Sequence, residues 1–401
     1  MKRSPLLPIF LIVLVDVLGL TIILPLLAFY AETLGATPVQ VGLLTSTYAA
    51  CQLISGPLLG RASDVTGRKP LLIVSQLGTF IGFVILAKAS ALWMVFLSRV
   101  IDGSTAGNLT LAQAYIADNT PPQERAKSFA VIGIAFGVGF LIGPAISGEM
   151  AHRFGYSAPV WLAAGLSMTS VLCTTFLLPG TRPAPESHEG PTPPAGRRLA
   201  LLDWGSYAVY FKRPVLAARL LQFFLFCAAF ASFTSAFALF AERRLTWHGK
   251  PFGPHEVGLL FAYSGFLGII LQGGLMGRLV KRFGEVTLVR VGFLSSVVGY
   301  TLLAFTFNLP TLVLAATVSS FGNGVLRPNL TAILTHQVGR NEQGTLLGLT
   351  QSLLSVAQIV APIIAGFLIH QDQLAAWGLF AAVLAAAAIV IAPREAKAAE
   401  A

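Results

Sequence analysis

The sequence predicts an all-α polytopic membrane protein with twelve transmembrane helices in two pseudo-symmetric six-helix bundles. Three observations predict it: twelve apolar runs of membrane-crossing length, a one-sided distribution of basic residues, and a repeat that relates the two halves.

The apolar runs come first. Only 11% of the 401 residues are charged and 55% are hydrophobic, with a mean hydropathy of +0.75. A soluble chain carries about 25% charged residues, so this one has too little polar surface to face water and must face lipid. At ~20 apolar residues per crossing, the runs fall at 6–30, 39–60, 70–89, 92–117, 124–148, 157–178, 215–242, 255–279, 286–306, 309–334, 342–370 and 374–393. The first is read as a retained span rather than a leader: it is long, carries Asp16 at its centre and continues past Pro25. Cys51, Cys173 and Cys227 lie inside apolar runs without metal-ligand or disulfide spacing, and read as small packing residues.

The net charge of +10 is explained by topology and not by nucleic acid. With the N-terminus inside, the cytoplasmic segments hold 18 Lys and Arg, the opposite loops and their edges hold 5, and Arg99, Arg219, Arg290 and Arg327 fall within helices. Such a bias puts both termini in the cytoplasm.

The repeat divides the chain. Pro144 and Gly148 recur as Pro362 and Gly366, and Glu124 as Glu342, all 218 residues on; Gly60–Lys69 has an echo at Gly277–Glu285. Residues 179–213 form the one long polar stretch, rich in Pro, Gly, Glu and Arg, whose composition cannot bury a core. The chain therefore reads as an N-terminal bundle (1–178), a cytoplasmic linker (179–213) and a C-terminal bundle (214–401). The linker's end, Leu199 to Phe211, is expected to lie amphipathically along the membrane face. Two such halves are what alternating-access transporters use, with substrate held near the midplane between them.

Several motifs carry chemistry. Gly60-x3-Asp64-x2-Gly67-Arg68-Lys69 combines glycines for a tight turn with a carboxylate between cations. Arg99, followed by Gly103 and Gly107, puts a guanidinium in mid-membrane, where it needs a partner or a water-filled cavity. Gly139-x3-Gly143-Pro144-x2-Ser147-Gly148 permits close helix approach and a bend. With the run from Asp16 to Pro25 and the segment from Tyr115 to Asp118, these motifs resemble the drug–proton antiporters of the major facilitator superfamily, most of all the tetracycline-pump group. The resemblance implies that superfamily's fold, a conformational latch at Gly60, Asp64, Gly67, Arg68 and Lys69 near the start of the eleventh helix, and proton transfer at Arg99. It also implies an antiporter-type helix motif at Gly139, Gly143, Pro144 and Gly148. The partners it implies are a small-molecule substrate, protons and the bilayer. It further implies a proton gradient in place of any cofactor or metal, a monomer, and the bacterial cytoplasmic (inner) membrane. The chain also departs from that group. Where tetracycline pumps carry aspartates in the third and ninth helices it has Gly82 and Ser296, while Asp102 and Arg327 are additional charges. These departures move the expected substrate away from tetracycline.

Polar residues inside the runs recur at spacings of three and four, which share a helix face. Tyr48 and Gln52 lie in the second run, Asp102 and Gln113 in the fourth, Asn323 and Arg327 in the tenth, Gln351 and Gln358 in the eleventh. These, with Phe230 and Phe233 from a phenylalanine stripe in the seventh run, are the expected substrate cavity. Packing inside the protein or against lipid remains open for the stripe, and interhelical hydrogen bonding for the uncharged members. No nucleophile–base constellation or phosphate loop is present, so neither an enzyme nor direct ATP coupling is indicated. His336 is the one histidine placed to matter. The deep carboxylates lie in the first half, so Asp16 or Asp102 is expected to carry the proton, modulated by Arg99. The expected function is proton-coupled efflux of a lipophilic or amphipathic drug-like compound. The alternative is transport of an anionic or amphipathic metabolite, motivated by Arg327.

Overall fold

The computed structural model describes residues 6–119, 125–179, 204–339 and 342–393. Span 1 is α1 (Leu6–Thr33), span 2 is α2 (Pro38–Thr66) and span 3 is α3 (Arg68–Ala87). Span 4 is split into α4 (Leu92–Ser104) and α5 (Asn108–Asn119); spans 5 and 6 are α6 (Arg125–Phe154) and α7 (Ser157–Leu177). After a short helix α8 (Trp204–Phe211), span 7 is α9 (Pro214–Arg244). Span 8 runs from α10 (Pro254–Ile269) through a π-helical stretch, Ile270–Leu275, into α11 (Met276–Phe283). Spans 9 to 12 are α12 (Glu285–Ala304), α13 (Leu309–His336), α14 (Gln343–His370) and α15 (Leu374–Val390). The Glu124 repeat position and most of the linker lie outside the described residues.

Nine of the described helices are long and apolar enough to cross a membrane by themselves. The other spans fall short for identifiable reasons. Span 2 is diluted by its polar stripe and by Arg61 and Asp64, span 4 is interrupted, and α15 is 17 residues long. The amino-acid pattern predicts an unbroken helix over 92–117, and the structure corrects it. Thr105 turns its hydroxyl back onto the Ile101 carbonyl at 2.9 Å, and the exposed backbone is taken up by Ser75 of span 3. The Ser75 hydroxyl donates to the Thr105 carbonyl and accepts the Gly107 N–H at 2.9 Å. An irregular backbone at membrane depth is tolerated only where such partners exist. A small hairpin between spans 7 and 8, β1 (Thr246–Trp247) and β2 (Lys250–Pro251), was not anticipated. Its turn at His248 and Gly249 has positive φ at both residues, the geometry that tight hairpins favour.

The packing obeys the repeat. Span 1 lies against spans 5 and 6, and span 7 against spans 11 and 12; span 3 lies against spans 4 and 6, and span 9 against spans 10 and 12. The halves meet along two equivalent crossings, span 2 with span 11 and span 8 with span 5. At each crossing backbones touch. A Cβ on Gly42 would run into the Pro362 carbonyl and one on Gly366 into that of Pro38. A Cβ on Gly258 would run into the Pro144 carbonyl and one on Gly148 into that of Pro254. Ser46 seals the first crossing by donating to the Ile359 carbonyl at 2.6 Å.

Both crossings lie toward the face that carries the loop at 34–37 and the hairpin, so that face is closed. The opposite face, which carries the linker, is splayed: α11 has no buried residue, and Gly56, Gly60, Gly273, Gly274 and Gly277 all border open space. Span 2 is bent there by Pro57, and span 8 carries its π-helical stretch at the equivalent depth, two different interruptions at one repeat position.

Filling a glycine at a crossing should therefore pry the closed face apart. Overpacking costs ~1–3 kcal/mol, so Gly258→Val or Gly42→Val is expected to lower the closed population on the order of tenfold. Alkylation of a Ser46→Cys reporter in a background lacking the native cysteines, by an impermeant maleimide, measures it; an unchanged rate rejects the backbone-contact account.

Candidate functional site

The break in span 4 sits beside two buried charges. Arg99 and Asp102 stand one turn apart on α4, and Arg99 Nη1 lies 3.4 Å from Asp102 Oδ2 with both side chains buried. Arg99 was expected to pair between helices or to line water; its carboxylate partner is on its own helix, and its Nη2 has no hydrogen-bond acceptor. The Thr79 hydroxyl bonds Asp102 from span 3. Gly82, where the tetracycline group carries an aspartate, makes this possible: a Cβ there would lie 3.1 Å from that of Asp102. The carboxylate of span 4 occupies space that a side chain on span 3 would claim. Tyr48 of span 2 lies within electrostatic reach of both charges, and its hydroxyl accepts from Gln52 Nε2 at 3.4 Å.

Asp16 is half-buried on span 1, held in a different set of contacts. Its carboxylate accepts from Gln76 Nε2 at 3.4 Å and from the Ser170 hydroxyl, and Asp102 is near enough to repel it. Gln76 is the residue that sequence reasoning missed. It is fully buried, it also donates to Ser170 at 2.7 Å, and its backbone carbonyl accepts from Ser167. A lone glutamine in an apolar run has no periodic partner to draw attention to it; only the meeting of spans 1, 3 and 6 reveals its role.

The second half presents fewer charges to the centre. Arg327 is exposed on span 10 and makes no ion pair with a described residue. At this depth exposure of a guanidinium means exposure to water between the halves, since lipid would not hold it. Gln113 and Gln351 are likewise exposed, and Gln358 half-buried. Asn323 is held by the Tyr300 hydroxyl at 3.2 Å, an interhelical bond. The phenylalanine stripe is mainly core of the second bundle. Phe223, Phe226, Phe237 and Phe240 are buried, and Phe233 packs among Phe237, Phe261, Tyr300 and Trp377. Phe230 and Phe233 keep part of their surface open.

The Gly60–Lys69 motif forms a charge cluster inside the first bundle. Arg68 lies 2.5 Å from Asp64 and 2.8 Å from Asp118 of span 4, and also donates to Ser63 at 2.6 Å. Neither Asp64 nor Arg68 reaches span 11 here, as the splay of that face requires. The glycine motif of span 5 does two jobs. Gly139 and Gly143 admit Val17 and Thr21 of span 1, and Ser147 donates to the Ile22 carbonyl at 2.6 Å; Pro144 and Gly148 make the crossing to span 8. His336 lies 3.6 Å from Glu285 at the splayed face.

The Major Facilitator Superfamily profile matches residues 9–273 and again 245–401, so that the two matches together span both halves. The chain belongs to the Major Facilitator Superfamily. Within this superfamily it is 30% identical over 359 residues to the class C tetracycline resistance protein of Escherichia coli, covering 87% of this chain and 85% of that one. It is 31% identical to the class E protein of Escherichia coli (89% and 86%) and 26% identical to the quinolone resistance protein NorA of Staphylococcus aureus strain COL (88% and 86%). Solved superfamily structures share the fold. The human organic anion transporter MFSD10 matches with a TM-score of 0.74 at 23% identity, covering 98% of this chain and 99% of that one. The nucleoside transporter NupG matches with a TM-score of 0.76 at 17% identity, covering 97% and 98%. The chain is thus a multi-pass membrane transporter of small molecules.

Because Arg99 and Asp102 neutralise each other in a buried place, removing one is expected to destabilise the protein by ~3–5 kcal/mol, while replacing both is far milder. Thermal unfolding of Arg99→Leu against the Arg99→Leu/Asp102→Leu pair checks this: the double variant should recover most of the loss.

Proposed function

We propose that the protein exports a lipophilic or amphipathic drug-like compound across the bacterial inner membrane in exchange for protons, working by alternating access as a monomer with both termini in the cytoplasm. The observation that carries this reading is the buried Arg99–Asp102 pair, with Asp16 close by, at an interrupted helix of the first bundle. Its similarity to tetracycline, multidrug and quinolone resistance proteins supports export of a drug-like compound.

Discontinuous helices at mid-membrane are where transporters of this kind bind substrate and coupling ions. Asp16 and Asp102 are held by groups on spans 3, 4 and 6, so a change of packing within the first bundle alters the surroundings of both. A carboxylate that has taken up a proton is neutral and no longer pairs with a cationic group of the substrate. Proton and substrate thus compete for one place, and competition of this kind yields antiport. Arg327, across the cavity, receives an anionic or acceptor-rich part of the same molecule. When the splayed face closes, Asp64 and Arg68 become available to latch spans 2 and 3 to span 11. The exposed Arg327 also favours a second reading, transport of an anionic or amphipathic metabolite.

Proteoliposomes with an imposed pH gradient and a chemically varied panel of compounds separate the two readings: cationic or zwitterionic amphiphiles move in the first, simple organic anions in the second. In the first, Asp16→Asn or Asp102→Asn should lower gradient-driven transport on the order of tenfold or more, the scale of losing a group that acts directly, while gradient-independent exchange survives. If both variants keep gradient-driven transport as steep in pH as the parent, the coupling assignment is wrong. Arg327→Lys should weaken binding of acceptor-rich substrates, since an ammonium cannot reproduce a bidentate guanidinium contact.

A further inference from the structure

The closed face carries a third contact between the halves, and this one is made by charge. Spans 1 and 7, the equivalent helices beside the pseudo-twofold axis, meet at their ends. Arg243 Nη2 of α9 lies 2.6 Å from Glu32 Oε1 of α1, and Arg243 is also held by the Leu239 carbonyl at 3.2 Å. Glu242 Oε2 lies 3.9 Å from Arg243 Nη1, so the two carboxylates share one guanidinium. The three side chains are 20%, 29% and 36% exposed for Glu32, Arg243 and Glu242, so the cluster is screened from water but reachable by it.

Two carboxylates beside a single guanidinium repel each other where water screens them only in part, and a proton taken up by the pair relieves that repulsion. Arg243 compensates one negative charge, and the proton removes the other. We propose that Glu32 and Glu242 form a proton-binding site that exists only while this face is closed, separate from the carboxylates at the centre. Opening parts α1 from α9, splits the pair and releases the proton to the solution on that side. The closed state therefore binds one proton more than the open state. Linkage then makes the closed-to-open ratio rise as pH falls, by at most about tenfold per pH unit.

The other titratable groups on this face are engaged elsewhere or vary independently. Tyr156 of span 6 lies within electrostatic reach of both glutamates and is stacked on Tyr30, whose hydroxyl donates to the Ala89 carbonyl. Arg244 turns away to the Thr306 carbonyl and the Phe307 ring, and Glu256 of span 8 accepts the Gly253 N–H. Lys88 lies exposed at the end of span 3 and Lys250 in the hairpin, and His370 and Asp372 close span 11. Among the described residues, spans 2, 6, 10 and 12 bring no charged residue to this face. Span 5 brings Glu149, His152 and Arg153; Glu149 pairs with Arg153, and His255 Nδ1 of span 8 comes within 2.9 Å of Glu149 Oε2 without a hydrogen-bond alignment. That imidazole bridges the halves too, so the test removes it.

The inference rests on the alternating-access reading, and the experiment keeps the two apart. Spin labels at Phe154→Cys on span 5 and Trp247→Cys in the hairpin, in a full chain lacking the native cysteines and carrying His255→Gln, report the separation of the halves. The short distance should lose population relative to the long one by about fivefold or more between about pH 5.5 and about pH 8.5. Glu242→Gln, whose amide donates to Glu32 at every pH, should abolish that step and hold the short distance; Glu32→Gln should flatten it as well. Two populations whose ratio ignores pH, or a step that persists in both glutamine variants, overturn the proton site and leave alternation standing. A single distance at all pH values, with and without the substrates found in the proteoliposome panel, overturns alternation and the proposal together.

Discussion

The two halves touch backbone to backbone, and the rest of the molecule is arranged around that contact. In lipid there is no hydrophobic drive to press helices together, so close approach and dispersion must supply it, and small residues are what allow close approach. Gly42 against Pro362 and Gly366 against Pro38, then Gly258 against Pro144 and Gly148 against Pro254, make two copies of one contact. Each joins the start of one helix to a proline-bent helix of the other half. Because carbonyls rather than side chains form the touching surfaces, the contact is short-ranged and has little tolerance: it is made or it is absent. A joint of that kind converts small shifts in packing into discrete states, which is what the proposed alternation requires.

Charge is what breaks the symmetry. The crossings are nearly the same in both halves, yet Asp16, Asp102 and Arg99 belong to the first bundle, whereas the charge that the second presents to the centre is Arg327. Within the first bundle the chain places a neutralised pair one turn apart on a single helix, where Gly82 leaves room for Asp102. Holding the pair on one helix means that moving the bundles does not tear it apart. The groups around the pair, Thr79 and Tyr48, are contributed by other helices.

Much of this was legible in the sequence, for a physical reason. Span number, the division into halves and the sites of helix crossings all depend on composition and on glycine and proline positions, which a sequence states directly. The constant offset from Pro144 and Gly148 to Pro362 and Gly366 is enough to mark them as equivalent. The break at Thr105–Gly107 is not legible in that way, because the helix-breaking tendency of a Thr-Ala-Gly segment in an apolar run is weak. The break is stable because Ser75, on another helix, satisfies the backbone it exposes. Which of the two expected carboxylates Arg99 meets stays open in the sequence for a related reason. Spacing places Asp102 on the same face as Arg99, but whether an arginine turns to its own helix or to the next is settled by packing. Gln76 and the Glu32–Glu242–Arg243 cluster depend entirely on which helix ends meet.

The phenylalanine stripe shows where periodicity stops being informative. Spacing of three and four defines a face, and says nothing of what that face meets. In span 7 the face turns inward onto Trp377, Tyr300 and Phe261 and builds the outer half of the second bundle. A rigid aromatic core there gives the Arg243 end of the helix a firm base, while the linker-side half of the neighbouring span 8 carries a π-helical stretch and exposed glycines. The outer half of span 7 is thus packed ring on ring, whereas the linker-side half of span 8 borders open space. The same division appears in the first bundle, where Pro57 bends span 2 at the equivalent depth. In both halves, then, the helix that makes the crossing is backbone-tight at its start and is interrupted, by Pro57 or by the π-helical stretch, where it borders open space.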